Sequence, residues 1–228
     1  MLVREWMSKN VVTVDVKANM QEAITLMMDH DVSMLPVMEG GKLVGIVTDR
    51  DIRRAAPSST SLLDVRHVLY HLTRVEIGAI MCRDLITIPP DFTIEETADV
   101  LLQRKISGCP VLDRDGNLIG IVTKHDLFKA VVSVSGLKAG GIQFGFLLED
   151  KPDFIKEITD IMQKHGARAV SIISAYEKAP QGHRYAYVRI SNVEPNELRL
   201  LEQELKEKTR LLYMVDHVQN KREIYATS

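Results

Sequence analysis

The chain has 228 residues, 45% of them hydrophobic and 26% charged, which is the balance of globular domains and excludes a chain disordered by composition. That length predicts two or three compact units. A formal net charge of −2 argues against the concentrated cationic surface that sequence-independent nucleic-acid binding needs, and no apolar run approaches the ~18 residues that cross a bilayer.

The opening "MLVREWMSKN" puts acid and base where a secretory signal has an apolar centre, so a cytoplasmic protein with no membrane partner is expected. Cys82 and Cys109 have no CxxC spacing and read as reduced, structural residues. Of seven histidines only His67 and His71 stand four apart, as on one helix face, and a pair falls short of the four ligands of a structural metal site. No metal and no required cofactor are expected.

In chain order, an extended "NVVTV" comes first and a polar turn follows. Met20, Ala23, Ile24, Met27 and Met28, at spacings of three and four, then predict a helix with one apolar face. "SMLPVM" and "KLVGIVT" predict two strands around a Gly turn, and a helix is expected from Asp51 onward. The whole order then returns. A shift of 74 lays Met7 on Met81, Thr13 on Thr87, Ser33 on Ser107 and Pro36-Val37 on Pro110-Val111. Past the turn a shift of 75 lays "GIVT" at Gly45–Thr48 on "GIVT" at Gly120–Thr123, and Asp51 on Asp126. The extra residue falls in the turn, where length is absorbed without loss of register. Ile94, Ala98, Leu101 and Leu102 mirror the first helix.

A unit of about 55 residues is marginal alone, so the two copies are expected to bury their apolar faces against each other. Between them "PSSTSLLDVRHVLYHLTRVEIG" reads as a linker with a short helix through Leu63, Val68, Leu69 and Leu72. The expected divisions are residues 1–57 for the first copy, 58–77 for the linker, 78–134 for the second copy and 135–141 for a small-residue linker. A last unit over 142–228 reads strand, helix, strand, strand, helix, strand. Its first helix carries Phe154, Ile158, Ile161 and Met162 between Pro152 and Gly166, and its second carries Leu198, Leu201 and Leu205.

Duplicated packing does not by itself require Thr48, Asp51, Thr123 and Asp126 to recur. In "GIVTDRD" and "GIVTKHD" a strand runs into a helix, whose first N–H groups and dipole attract an anion. A ligand with phosphate and ribose suits that place, the Thr hydroxyl and helix end taking phosphate and the Asp carboxylate taking the ribose hydroxyls. The alternative is that Asp51 and Asp126 only cap helices, worth about 0.5–2 kcal/mol each. Asp49-Arg50 with Arg53 and Arg54 gives the first copy a mixed basic edge, and Lys124-His125 with Lys129 gives the second a basic one, or these are solvated surface charges.

The doubled unit resembles a tandem pair of cystathionine-beta-synthase-type (CBS) domains, the Bateman module. That resemblance implies an α+β fold of two strand-helix-strand-strand-helix repeats packed as a pair, with an adenosyl ligand such as AMP, ADP, ATP, a dinucleotide or S-adenosylmethionine in clefts between them. It implies that Thr48, Arg50 and Asp51 serve one cleft and Thr123, His125 and Asp126 the other. Thr13 and Thr87, with the backbone near Met34-Leu35 and Gly108-Cys109, would border the base. The last unit resembles an ACT domain, a ferredoxin-like regulatory module that pairs through its sheet. Asp153 stands where amino-acid-binding ACT domains place Gly, so the resemblance implies homodimerisation. The combination is similar to the acetoin-utilisation protein B family, which points to acetoin or acetate metabolism. The expected function is a non-catalytic regulator that senses an adenosyl ligand and acts on a partner enzyme. A ligand-free oligomerisation module and a nucleotide-processing enzyme are the alternatives, the latter without a P-loop or GxSxG elbow in its favour.

Overall fold

A computed structural model describes residues 1–56 and 70–225. The chain divides into two compact units, Met1–Phe128 and Lys129–Ser228. Within the inter-repeat segment residues 70–74 are helical, whereas Leu63, His67, Val68 and Leu69 lie outside the described residues.

In the first unit a short helix α1 (Val3–Trp6) precedes β1 (Val14–Asp15), α2 (Met20–Asp29), β2 (Met34–Glu39), β3 (Lys42–Thr48) and α3 (Asp49–Ala55). Its counterpart is α4 (Ile77–Ile80), α5 (Ile94–Gln103), β4 (Gly108–Leu112), β5 (Leu118–Thr123) and α6 (Lys124–Val134). β1 pairs parallel to β2, and β2 antiparallel to β3 around Gly40 and Gly41, whose φ values of 56° and 82° suit glycine. The expected leading strands are much shorter than "NVVTV" and its copy. Only Val14–Asp15 forms a strand in the first copy, and a single bridge, Ile88 to Val111, remains in the second. Pro89 and Pro90, lacking N–H donors, end the pairing there.

α2 and α5 start on side-chain caps: Asn19 accepts from the Glu22 N–H at 3.0 Å, and Thr93 from the Glu96 N–H at 3.1 Å. Met20, Ala23 and Met27 are buried as expected, but Met28 is 77% exposed and its counterpart Leu102 69%. Each lies one position, about 100° of rotation, past a buried residue, beyond the edge of the buried stripe.

The repeats exchange their leading segments. The Ile77 and Gly78 N–H groups of the second repeat donate to Ala18 and Val16 of the first, at 2.8 and 2.9 Å. Reciprocally, Val3 and Arg4 donate to Phe92 and Pro90, at 2.9 and 3.0 Å. Cys82 and Ile46 exchange backbone hydrogen bonds of 2.8 and 3.0 Å, as Ser8 and Ile121 do at 2.9 and 3.0 Å. Ile77 and Met81 thereby join the core formed by Val14, Met20, Leu35, Val37 and Val47.

The second unit carries β6 (Ile142–Glu149), α7 (Phe154–Lys164), β7 (Arg168–Ala175), β8 (His183–Ser191), α8 (Pro195–Lys208), β9 (Arg210–Asp216) and β10 (Lys221–Ile224). The sheet order β10-β9-β6-β8-β7, antiparallel throughout, is a split βαβ arrangement with one added edge strand. Phe144, Phe146, Val188 and Met214 pack against Ile158, Met162, Leu201 and Leu205 of the two helices. β9 ends at Asp216. Its carboxylate accepts from the Val218 and Gln219 N–H groups at 2.8 and 2.9 Å, turning the chain back into β10. The segment 135–141 is bound to this sheet: Arg189, 2% exposed, donates from Nε to the Ser135 carbonyl at 2.8 Å.

Candidate functional site

At the end of β3, Thr48 caps α3. Its N–H and Oγ1 donate to Asp51 Oδ2 at 3.0 and 2.6 Å, and the Asp51 N–H returns to Thr48 Oγ1 at 3.3 Å. In the second copy the Thr123 N–H and Oγ1 donate to Asp126 Oδ2 at 2.9 and 2.8 Å. The capping reading is therefore realised in both repeats.

That geometry changes the roles assigned from sequence. The single hydroxyl proton of Thr48 goes to Asp51, so it is not offered to a phosphate. The helix end is also partly occupied, because the Asp49 N–H donates to the Ser33 carbonyl at 3.1 Å and the Asp51 N–H to Thr48. Lys124 likewise donates to Ser107, at 2.9 Å. Asp51 Oδ1 takes no hydrogen bond among the described residues, which leaves one carboxylate oxygen for a ligand hydroxyl.

A cavity of about 310 Å³ opens beside this turn, and its walls come from both repeats. Met34, Thr48, Arg50, Asp51 and Gly108, all predicted, line it together. Leu35 and Cys109 do not. Alternation along β2 and β4 turns them into the core with no exposed surface, opposite Val47 and Val122. Burial also pushes the Cys109 thiol up to about 12, so it is no nucleophile at neutral pH. Thr13 is half-buried and Thr87 exposed, both outside this lining. Thr123, His125 and Asp126 occupy the matching turn of the second repeat, Asp126 buried and His125 exposed.

Arg54, expected on the basic edge, lines the cavity too, and sequence reasoning missed Ile46, Ile86 and Ile106, which add apolar surface, and Asp84 and Lys105, which add charge. The 74-residue shift already aligned Ser33 with Ser107, both in the lining, and following it outward from that pair would have reached Lys105 and Ile106. A larger cavity, about 440 Å³, lies in the second unit around Ile190, Leu198, Arg199 and Asp216, and contains none of the predicted residues. Among the described residues no group of three or more His, Cys, Asp or Glu forms a metal site. No helix there is long and apolar enough to cross a membrane.

Exchanged leading segments, twin capped strand-to-helix turns and a cleft between copies define a tandem CBS pair. The chain belongs to the CBS-domain family, whose model matches residues 3–58 and 77–133. It is 32% identical over 134 residues to a CBS domain-containing protein of Dictyostelium discoideum, covering 58% of this chain and 92% of that protein. It is 38% identical over 120 residues to an inosine-5'-monophosphate dehydrogenase of Korarchaeum cryptofilum, where the match covers 53% of this chain but only 22% of the dehydrogenase. Among solved structures, the CBS-pair protein CBSX2 of Arabidopsis thaliana has a TM-score of 0.52 at 25% identity, covering 58% of this chain and 95% of that one. CBSX2 is also known in complex with AMP, in a structure with a TM-score of 0.49, 25% identity and coverage of 58% and 97%.

Proposed function

We propose that this protein is a non-catalytic regulator that senses an adenosyl ligand in the clefts of its CBS pair. The ligands in view are AMP, ADP, ATP, NAD(H) and S-adenosylmethionine. The observation that carries the reading is the single cleft gathering Met34, Thr48, Arg50, Asp51 and Gly108 between the two repeats. Its isoleucines offer a base an apolar bed, and the open oxygen of Asp51 offers an acceptor to a ribose hydroxyl. Occupancy shifts a conformational equilibrium by the difference in affinity between two states, and the ligand thereby acts on a partner enzyme.

The second unit serves as an ACT-like homodimerisation module in this reading. β10, at one sheet edge, is short and carries Lys221, Arg222 and Glu223, which discourage pairing. β7, at the other edge, runs eight residues with Val170, Ile172 and Ile173 and without Lys or Pro, which suits pairing with a second copy. Regulation of acetoin or acetate metabolism is the process proposed from the resemblance to acetoin-utilisation proteins.

Calorimetric titration with AMP, ATP, NADH and S-adenosylmethionine tests the sensor. Binding of at least one is expected, and Asp51→Ala should weaken it about tenfold or more, as for loss of a charge-assisted hydrogen bond. The completed capping box at Thr48 and Asp51, with the Thr123 and Asp126 bonds that echo it, favours one rival, a ligand-free oligomerisation module. Absence of binding by all four compounds would establish that rival over the sensor.

A further inference from the structure

Three cations of the first cleft have no acid paired with them among the described residues. Arg50 and Arg54 stand one turn apart on α3, and Lys105 comes from the second repeat. α3 reads Asp-Arg-Asp-Ile-Arg-Arg, and its pairing is selective. Asp49 pairs with Arg53 at 2.7 Å, and Asp51 gives Oδ2 to the capping box. Arg50 and Arg54 remain as like charges four residues apart, an arrangement that repels itself until an anion comes between them.

Lys105 adds an independent observation. Its φ is 55°, in the left-handed region just past α5, where glycine or asparagine is usual. A long cationic side chain is kept at a backbone position that favours its loss, and it lines the cleft. The matching residue of the first repeat, Asp31, has φ 51° and the opposite charge. The backbone form thus belongs to the repeat, whereas the cation belongs to this cleft. Because the nearby Asp49 and Asp51 N–H groups are already bonded, the start of α3 offers an anion little beyond the Arg50 N–H, and the cationic side chains supply the charge.

Resting on the adenosyl reading above, we propose that the first cleft is specific for phosphorylated adenosyl ligands, whose phosphate oxygens lie between Arg50, Arg54 and Lys105. It thereby selects adenine nucleotides over adenosine and over S-adenosylmethionine, which brings a sulfonium and an ammonium to the same cations. Asp84, on a third segment of the lining and without a side-chain partner among the described residues, opposes the anion and holds affinity down.

The test is calorimetry on the full chain with adenosine, ADP, S-adenosylmethionine and inorganic pyrophosphate. ADP should bind about tenfold or more tightly than adenosine and lose affinity as salt rises. Lys105→Gly suits the left-handed backbone, so it should keep or raise the melting temperature while weakening ADP about tenfold and leaving adenosine unchanged. Asp84→Asn should strengthen ADP binding. Adenosine or S-adenosylmethionine binding as tightly as ADP, or Lys105→Gly without effect on ADP, overturns this inference and leaves the sensor standing. Failure of every adenosyl compound, even with pyrophosphate bound, overturns the sensor itself.

Discussion

Met7 of the first repeat rests on Gly120 of the second, and Met81 of the second rests on Gly45 of the first. Around these reciprocal contacts the two repeats repeat each other's backbone hydrogen bonds and capped turns, yet they differ at almost every charge near the cleft. Asp49-Arg50 corresponds to Lys124-His125, Arg54 to Lys129, and Lys105 to Asp31. The difference separates two kinds of position. Groups that hold the pair together recur because each must fit the other copy, whereas most charges around the turns do not recur.

The largest expected effect breaks or confirms the shared scaffold. A Cβ at Gly45 would press into the Met81 sulfur and stand 3.1 Å from the Cys82 carbonyl oxygen, and one at Gly120 would meet the Met7 sulfur and stand 3.2 Å from the Ser8 carbonyl. Gly45→Val and Gly120→Val should each cost about 1–3 kcal/mol in urea unfolding, as overpacking does. Similar costs uphold the equivalence of the two junctions, and a neutral Gly120→Val would refute it.

A smaller effect separates scaffold from site. Thr48→Ala and Thr123→Ala should each destabilise by about 1 kcal/mol through loss of the cap. A double-mutant cycle of Thr48→Ala with Asp51→Ala should show coupling, since the two side chains bond each other. Additive costs would mean that the capping box contributes little in solution.

The smallest effect contrasts the charge-poor junctions of the CBS pair with the ionic junction of the second unit. There His165 Nδ1 and Nε2 each lie 2.9 Å from a carboxylate of α8, Glu197 and Glu204, beside Lys164 and Lys208. Hydrogen bonds to Glu197 and then Glu204 raise the imidazole above its ordinary 6.5. Its contribution is therefore complete below about 6.5 and lost as pH rises through the raised folded value. Glu204, held down to about 2 by Lys164, Lys208 and His165, contributes above 4.5 and loses its contribution as pH falls through about 2. His165→Gln should flatten the melting temperature between pH 6 and 9, where the parent falls by about 1–2 °C. An unchanged pH profile would show that the pair of carboxylates does not need the proton.

Much of this architecture was legible before any coordinates. Helix faces, Gly turns and Thr-x-x-Asp turns are local, so their signals sit within a few residues of one another. Met28 and Leu102 were misread because spacing gives a stripe's direction but not its width, which the neighbouring element sets. Asp84 and Lys105 escaped because they belong to segments that share no local pattern with the Thr-x-x-Asp turn. The Thr48 hydroxyl was assigned to phosphate because sequence does not say where its one proton goes.

By itself the sequence determined a doubled helix-strand-strand-helix unit, a βαββαβ unit after it and the Thr and Asp pairs worth attention. Periodicity and capping act over one or two turns of chain, and that range is enough for each. Only the tertiary structure decided that the leading segments are exchanged, that the Thr48 and Thr123 hydroxyl protons go to Asp51 and Asp126, and that Arg50, Arg54 and Lys105 line one cleft. Those results depend on which distant surfaces are buried together, and burial is a property of the packed chain.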